Sequence, residues 1–125
     1  MTDYHEAFNR TILEFIDDLV NTFPELADFD GFRKITKTCI MIDPETPQKV
    51  FHESVTTPYE KYIIARNEAF LLSENYSKSG AHATLIDRIK LIWKGLDDGN
   101  KDVIWNYMRA LVALDKKCTL AMKST

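Results

Sequence analysis

Glycine and proline are scarce in this sequence, with four of each in 125 residues. An all-β sandwich needs a turn signal roughly every 8–12 residues, so the scarcity argues against one. Cysteine is scarcer still. Cys39 and Cys118 stand far apart with no CxxC spacing, which excludes a disulfide framework and leaves free thiols as the expectation. No apolar run approaches the ~20 residues that a membrane span needs. The opening Met-Thr-Asp-Tyr-His-Glu lacks the basic and apolar regions of a signal peptide, so an intracellular, reducing compartment is expected. Positive charge is not in excess either: the net charge is −3, which speaks against a nucleic-acid binder overall.

What is present is ordinary for a folded domain. A hydrophobic fraction of 45% and a charged fraction of 28% place the chain among globular proteins rather than disordered ones. Its length suits one domain, so residues 1–125 are read as a single unit with a self-sufficient core. Charge is unevenly spread. Residues 1–30 carry eight acids against Arg10 alone, a balance of −7, and the remainder balances at +4. Such asymmetry can orient a partner or a neighbouring subunit, or simply mark a solvated helix face.

The hydrophobic pattern has helical period throughout. Phe8, Ile12, Phe15, Ile16, Leu19 and Phe23 recur at steps of three and four, an amphipathic helix that must end before Pro24. A second helix is predicted with Asp28 or Asp30 as its cap and Phe32, Ile35, Cys39 and Ile42 as its core stripe. Thr46 and Pro47 start a third as cap and first residue, continuing through Phe51 and Val55. Whether Pro58 breaks or only kinks this helix is open, and Tyr59, Tyr62 and Ile63 resume the pattern. The small polar stretch at 73–84 predicts a mobile loop. Leu85, Ile89, Trp93 and Leu96 then mark another helix. Asn100 can cap the last one, which carries Val103, Ile104, Tyr107, Met108, Leu111 and Val112, before a tail expected to fray over 116–125. The expected fold is all-α, a compact bundle of about five helices.

Chemistry-bearing patterns are thin. His5, His52 and His82 show no HxxxH or HExxH spacing, and no Cys–His pair has zinc-ligand spacing, so no metal is expected. Asp28-Phe29-Asp30-Gly31 and Asp97-Asp98-Gly99-Asn100 are fragments of a calcium loop without its sixth-position glycine or closing glutamate. Asn9-Arg-Thr11 and Asn75-Tyr-Ser77 match the glycosylation pattern only by chance in an intracellular protein. Asp17 and Asp18 are adjacent on a helix and point about 100° apart, so they cannot share a proton. No phosphate-cradling glycine loop or nucleophile elbow occurs. No catalytic residue and no cofactor is predicted, and the leading expectation is a non-enzymatic protein-interaction or structural module.

Two sets of side chains are candidates for partner contact. Trp93, Trp105 and Tyr107 could anchor a protein partner, since an exposed tryptophan is a typical interface residue. Packing of Trp105 at the edge of the core is the competing account. Eight apolar residues between Val103 and Leu114 cover more than one face of the last helix. That helix is therefore either central or carries a second apolar strip, which makes a homo-oligomer built around Trp105 a specific expectation. Arg33, Lys34 and Lys37 on one helix and Arg88, Lys90 and Lys94 on another could instead contact nucleic acid if they converge.

Some segments also resemble a known group. The run from Phe8 to Glu25, Phe-Asn-Arg-Thr-Ile-Leu-Glu-Phe-Ile-Asp-Asp-Leu-Val-Asn-Thr-Phe-Pro-Glu, is similar to the start of small uncharacterised proteins encoded by large DNA viruses of algae and protists. The run Leu96–Met108, with its Asp-Asp-Gly-Asn-Lys turn and Trp-x-Tyr, resembles their closing helix, and Pro58-Tyr-Glu-Lys-Tyr-Ile63 fits the middle. The resemblance implies a helical protein facing the host cytoplasm or the virion, and it brings no catalytic motif with it.

Overall fold

The computed structural model describes residues 3–73 and 81–123, with backbone alone for 81–84 and for 122–123. Every regular element in that range is helical: α1 (Tyr4–Thr22), α2 (Ala27–Ile42), α3 (Thr46–Phe51), a π turn (His52–Thr56), α4 (Thr57–Ile64), α5 (Glu68–Ser73), α6 (Ala81–Trp93) and α7 (Asp98–Lys123). Because α3, the π turn and α4 run on without a break, the predicted all-α bundle of about five helices is what the chain forms.

Local chemistry explains most boundaries. Asp3 caps α1 by accepting from the Glu6 backbone N–H at 3.1 Å, satisfying one donor that the helix start leaves over. The helix ends at Thr22, as Pro24 requires. Two caps differ from expectation. Asp28 and Asp30 lie inside the first turn of α2, whose cap position is Leu26 with no side-chain bond, so they act on the helix dipole instead. Asp97, not Asn100, caps α7: its carboxylate accepts from the Asn100 N–H at 2.8 Å.

Pro58 does not break the third helix, and the π turn just before it gives the reason. A proline ring clashes with the carbonyl four residues back and offers no N–H to it. Widening the preceding turn relieves that clash. Thr57 N–H donates five residues back to His52 O, and the helix continues through the proline. Farther on, α4 closes with Arg66 at φ +52°. Arg66 N–H bonds to Ile63 O and Asn67 N–H to Tyr62 O, the bonding pattern of a Schellman cap, whose left-handed residue is usually glycine. The Arg66 guanidinium reaches Asp102 at 3.0 Å and Asn106 at 2.7 Å on α7, which ties this strained corner to the bundle.

The longest helix among the described residues is α7. It packs along α1 and also touches α3, the π turn and α4. Its own turns extend to Lys123, so the tail expected to fray from 116 is helix through 123, and Cys118 within it is fully buried. At both ends of the predicted loop at 73–84 the chain is helical. Ser73 closes α5 and residues 81–84 belong to α6, while 74–80 lie outside the described residues. In the core, Phe8 meets Phe51 edge-on at 5.3 Å, and Phe15 stacks on Tyr107 at 4.9 Å. Among the described residues no helix is long and apolar enough to cross a membrane.

The main departure is the rotation of α2. Its predicted core stripe was Phe32, Ile35, Cys39 and Ile42. Phe29 and Thr36 are buried instead, Phe32 and Cys39 are half-buried, and Ile35 and Ile42 stand 58% and 80% exposed. Met41 is 86% exposed beside them. Contacts with α1 set this rotation: Phe29 packs on Phe23 at 6.3 Å, and Arg33 reaches Asp17 at 3.4 Å.

Candidate functional site

The most unusual chemistry in the fold is a carboxylate in its core. Asp115 is 0% exposed, and it sits one turn after Leu111 on the buried stripe of α7. Burying an isolated carboxylate costs many kcal/mol unless it is hydrogen-bonded and paired. Two neighbours do this. The Gln48 side-chain N–H₂ on α3 donates to Asp115 Oδ1, and His52 Nδ1 lies 2.9 Å from Oδ2 and 3.1 Å from Oδ1. Between them the amide and the imidazole engage both carboxyl oxygens of Asp115. The chain of bonds continues outward: His5 Nε2 on α1 lies 3.2 Å from Gln48 Oε1, and therefore donates to it. Four side chains from α1, α3, the π turn and α7 are joined, with Asp115 in the core and two arms leading outward, one through His52 and one through Gln48 to His5.

The π turn helps to build this site. His52 is its first residue, and the wider turn sets the imidazole over α7 with its side chain 40% exposed. Nδ1 faces the buried acid, and imidazole is a common metal ligand. No group of three His, Cys, Asp or Glu side chains that could hold a metal ion converges anywhere among the described residues. Cys118, one turn beyond Asp115, is pushed up to about 11 by burial and then by the Asp115 charge, so at neutral pH it is a thiol rather than a nucleophilic thiolate. Two apolar clefts, of about 10 Å³ by Tyr59 and Phe70 and about 30 Å³ by Phe15 and Leu96, include no member of the network. The arrangement works as a pin joining four segments.

Sequence reasoning weighed His5 and His52 only for metal-ligand spacing and set them aside, and it missed Asp115 and Gln48. A signal was present. Asp115 falls in register with Met108, Leu111 and Val112, and Gln48 with Phe51 and Val55; a polar residue on an apolar stripe is the mark of a buried network.

The predicted contact residues fall differently. Trp93 is fully buried and Trp105 is 5% exposed, and the two rings meet edge-on at 5.4 Å. Neither can anchor a partner from the surface, and Trp105 belongs to the core. Tyr107 is half-buried, and its hydroxyl donates to Asp18 on α1; that bond, with burial, raises the phenol to about 12. The last helix buries one stripe, with Ile104, Trp105, Met108, Leu111 and Val112 on it, and among the described side chains Val103 and Leu120 are its exposed large apolar residues.

Four of the six basic candidates are paired with acids. Arg33 bonds Asp17 and Asp30, Lys34 reaches Asp30 at 3.1 Å, Arg88 reaches Asp28 at 3.0 Å, and Lys90 lies 3.6 Å from Asp87. The Lys34 hydrogen bond holds the Asp30 carboxyl below its ordinary value. The Arg88–Asp28 pair joins α6 to α2, so the two basic helices are neighbours, with charges already answered within the chain. Lys37 and Lys94 are exposed.

The fold and its network define an all-α bundle pinned by a buried acid. No family model, curated protein or solved structure matches the chain.

Proposed function

We propose that the chain is a non-enzymatic protein-interaction module whose contact surface is the outer face of α2. In the viral setting that the sequence resemblance implies, it is a component of the virion or of the intracellular infection factory. One observation carries the reading: Ile35, Met41 and Ile42 stand 58%, 86% and 80% exposed on a single helix. Single exposed apolar residues are commonplace, but a cluster of large ones on one element marks a contact surface. The nucleic-acid alternative loses support because Arg33, Lys34, Arg88 and Lys90 already have acidic partners, and releasing them would offset the gain from phosphate contact.

The test uses a photoreactive amino acid at position 42 and, as control, at exposed Glu6. A discrete adduct with a protein, saturable and restricted to position 42, is the expected result. Equal labelling at both positions overturns the reading. So does micromolar binding of duplex or single-stranded DNA with a steep salt dependence.

A further inference from the structure

We infer that α5 is a hinged flap. It swings away from the bundle about the corner at Arg66 and uncovers the apolar cleft beside Trp105, while the rest of the fold stays intact. Three features of α5 and its surroundings support this, all of them apart from the α2 face.

The first is how little holds α5 down. A helix of six residues is not stable in water by itself and depends on packing. Leu71 is its buried residue; Phe70 and Leu72 are half-buried, and Glu68, Ala69 and Ser73 are exposed. Its ends are closed by local bonds. Asn67 Oδ1 accepts from Phe70 N–H at 3.0 Å, and the Ser73 hydroxyl donates to Phe70 O at 3.2 Å. Those bonds travel with the helix, so lifting it breaks neither of them.

The second is the seam beneath it. The cleft of about 10 Å³ lies between α5 and the bundle, with Phe70 and Leu71 on one side and Tyr59, Ile63, Trp105 and Met108 on the other. Well-packed cores leave few such gaps. Phe70 rests on two rings of α4, Tyr62 at 3.6 Å and Tyr59 at 5.8 Å. That helix ends just before the hinge, so the flap folds back on its own neighbour in sequence.

The third is the latch and the hinge. The polar contacts that run from α5 and its corner to α7 are surface pairs. Glu68, the first residue of α5, reaches Lys101 at 3.4 Å, and Arg66 reaches Asp102 at 3.0 Å. Lys101 also stands over the Trp93 ring at 5.5 Å. The Trp93 indole N–H, and then Lys101, hold the Glu68 carboxyl below its ordinary value. Surface pairs are weak and screened by salt, so they release without disturbing the core. Arg66 holds φ +52°, which is unfavourable for any residue with a Cβ. A change in its backbone angles on opening relieves that strain.

Native-state thiol labelling tests this, in a chain carrying Cys39→Ser and Cys118→Ala. Without denaturant, Leu71→Cys should react with an aromatic disulfide reagent at least about 100-fold faster than Leu111→Cys, because local opening costs less than global unfolding. Both leucines are buried, 2% and 1% exposed, so the contrast reports opening alone. Lys101→Ala, or a rise from about 50 to about 500 mM NaCl, should speed the reaction at position 71 about 2- to 5-fold. Ile12→Val, a core truncation on α1, should speed position 111 and leave position 71 unchanged. Equal rates at 71 and 111, a position-71 rate indifferent to Lys101→Ala and salt, or one that follows Ile12→Val overturns the flap. Hydrogen exchange of the unaltered chain repeats the test without a substitution at the seam. The Leu71 amide, bonded to Asn67 O, should exchange at a rate indifferent to low urea; exchange only through global unfolding overturns the inference.

Discussion

Removing the Asp115 carboxylate is the sharpest perturbation this fold offers. In Asp115→Ala, the Gln48 amide stays in the core, 3% exposed, with no acceptor. His52 loses its partner too, but at 40% exposure its ring can turn to water, so its share is discounted. A hydrogen bond to a charged group is worth about 1.5–3 kcal/mol, and a stranded buried donor costs about 1–3 kcal/mol. Adding a small cavity, the loss should be about 3–5 kcal/mol, in line with broken buried pairs elsewhere. Against a whole-domain stability of about 5–15 kcal/mol, this is enough to shift a urea unfolding curve far to the left. Asp115→Asn keeps the shape and one acceptor and should lose about 1–3 kcal/mol. The double change Gln48→Leu with Asp115→Leu removes donor and acceptor together. It should cost less than Asp115→Ala alone, because no buried polar atom is then left unpaired. Urea titrations followed by circular dichroism and by tryptophan fluorescence would measure all three. An Asp115→Ala protein within about 1 kcal/mol of the parent, a loss no larger than an ordinary surface change, would refute the pin. Strict additivity of the two leucine changes would refute it too.

Other outcomes follow from the same geometry. Arg66 holds φ +52°, so Arg66→Gly should be more stable than Arg66→Ala by about 1 kcal/mol, both having lost the contacts to Asp102 and Asn106; equal unfolding midpoints would contradict the left-handed cap. Trp105→Ala should lose about 3–5 kcal/mol as a core truncation and weaken far-ultraviolet helicity, whereas a stable, fully helical variant would return Trp105 to the surface. Tyr107 is raised to about 12 by its bond to Asp18. A raised folded value means the stabilisation is complete below pH 10, the ordinary tyrosine value, and is lost as pH rises towards 12. The stability difference between parent and Tyr107→Phe should therefore shrink over that window. Absorbance at 295 nm should show one late-titrating phenol among the five tyrosines, and its absence would count against the bond.

Much of the architecture was legible before any coordinates. The stripe from Phe8 to Phe23, the stop at Pro24, the proline start at Pro47 and the stripe from Leu85 to Leu96 follow from helical period and local sterics, and these act within a few residues of chain. Where only local rules were in play, they held. They failed where two local answers were nearly equal in energy. Asp28, Asp30 and Asn100 are all competent caps, and the caps in the fold were chosen by where each helix had to begin to reach its neighbours. Pro58 permits a break, a kink or a widened turn, and packing of His52 and Val55 beneath α7 favoured the last.

The site was less legible than the fold. His52 could be seen on a helix, but Gln48 and His52 stand 67 and 63 residues from Asp115 in sequence. An acid on an apolar stripe marks a buried group without saying who answers it. The rotation of α2 shows the same limit more clearly. Both sides of that helix are apolar enough to face a core, so its sequence left two rotations open. Contact with α1 goes with one of them, through Phe29 on Phe23 and Arg33 on Asp17. The sequence alone determined that this chain would be helical and where most helices would lie, since period and capping are local. Only the tertiary structure decided which apolar residues would be left outside, because that depends on how much surface each helix finds to share.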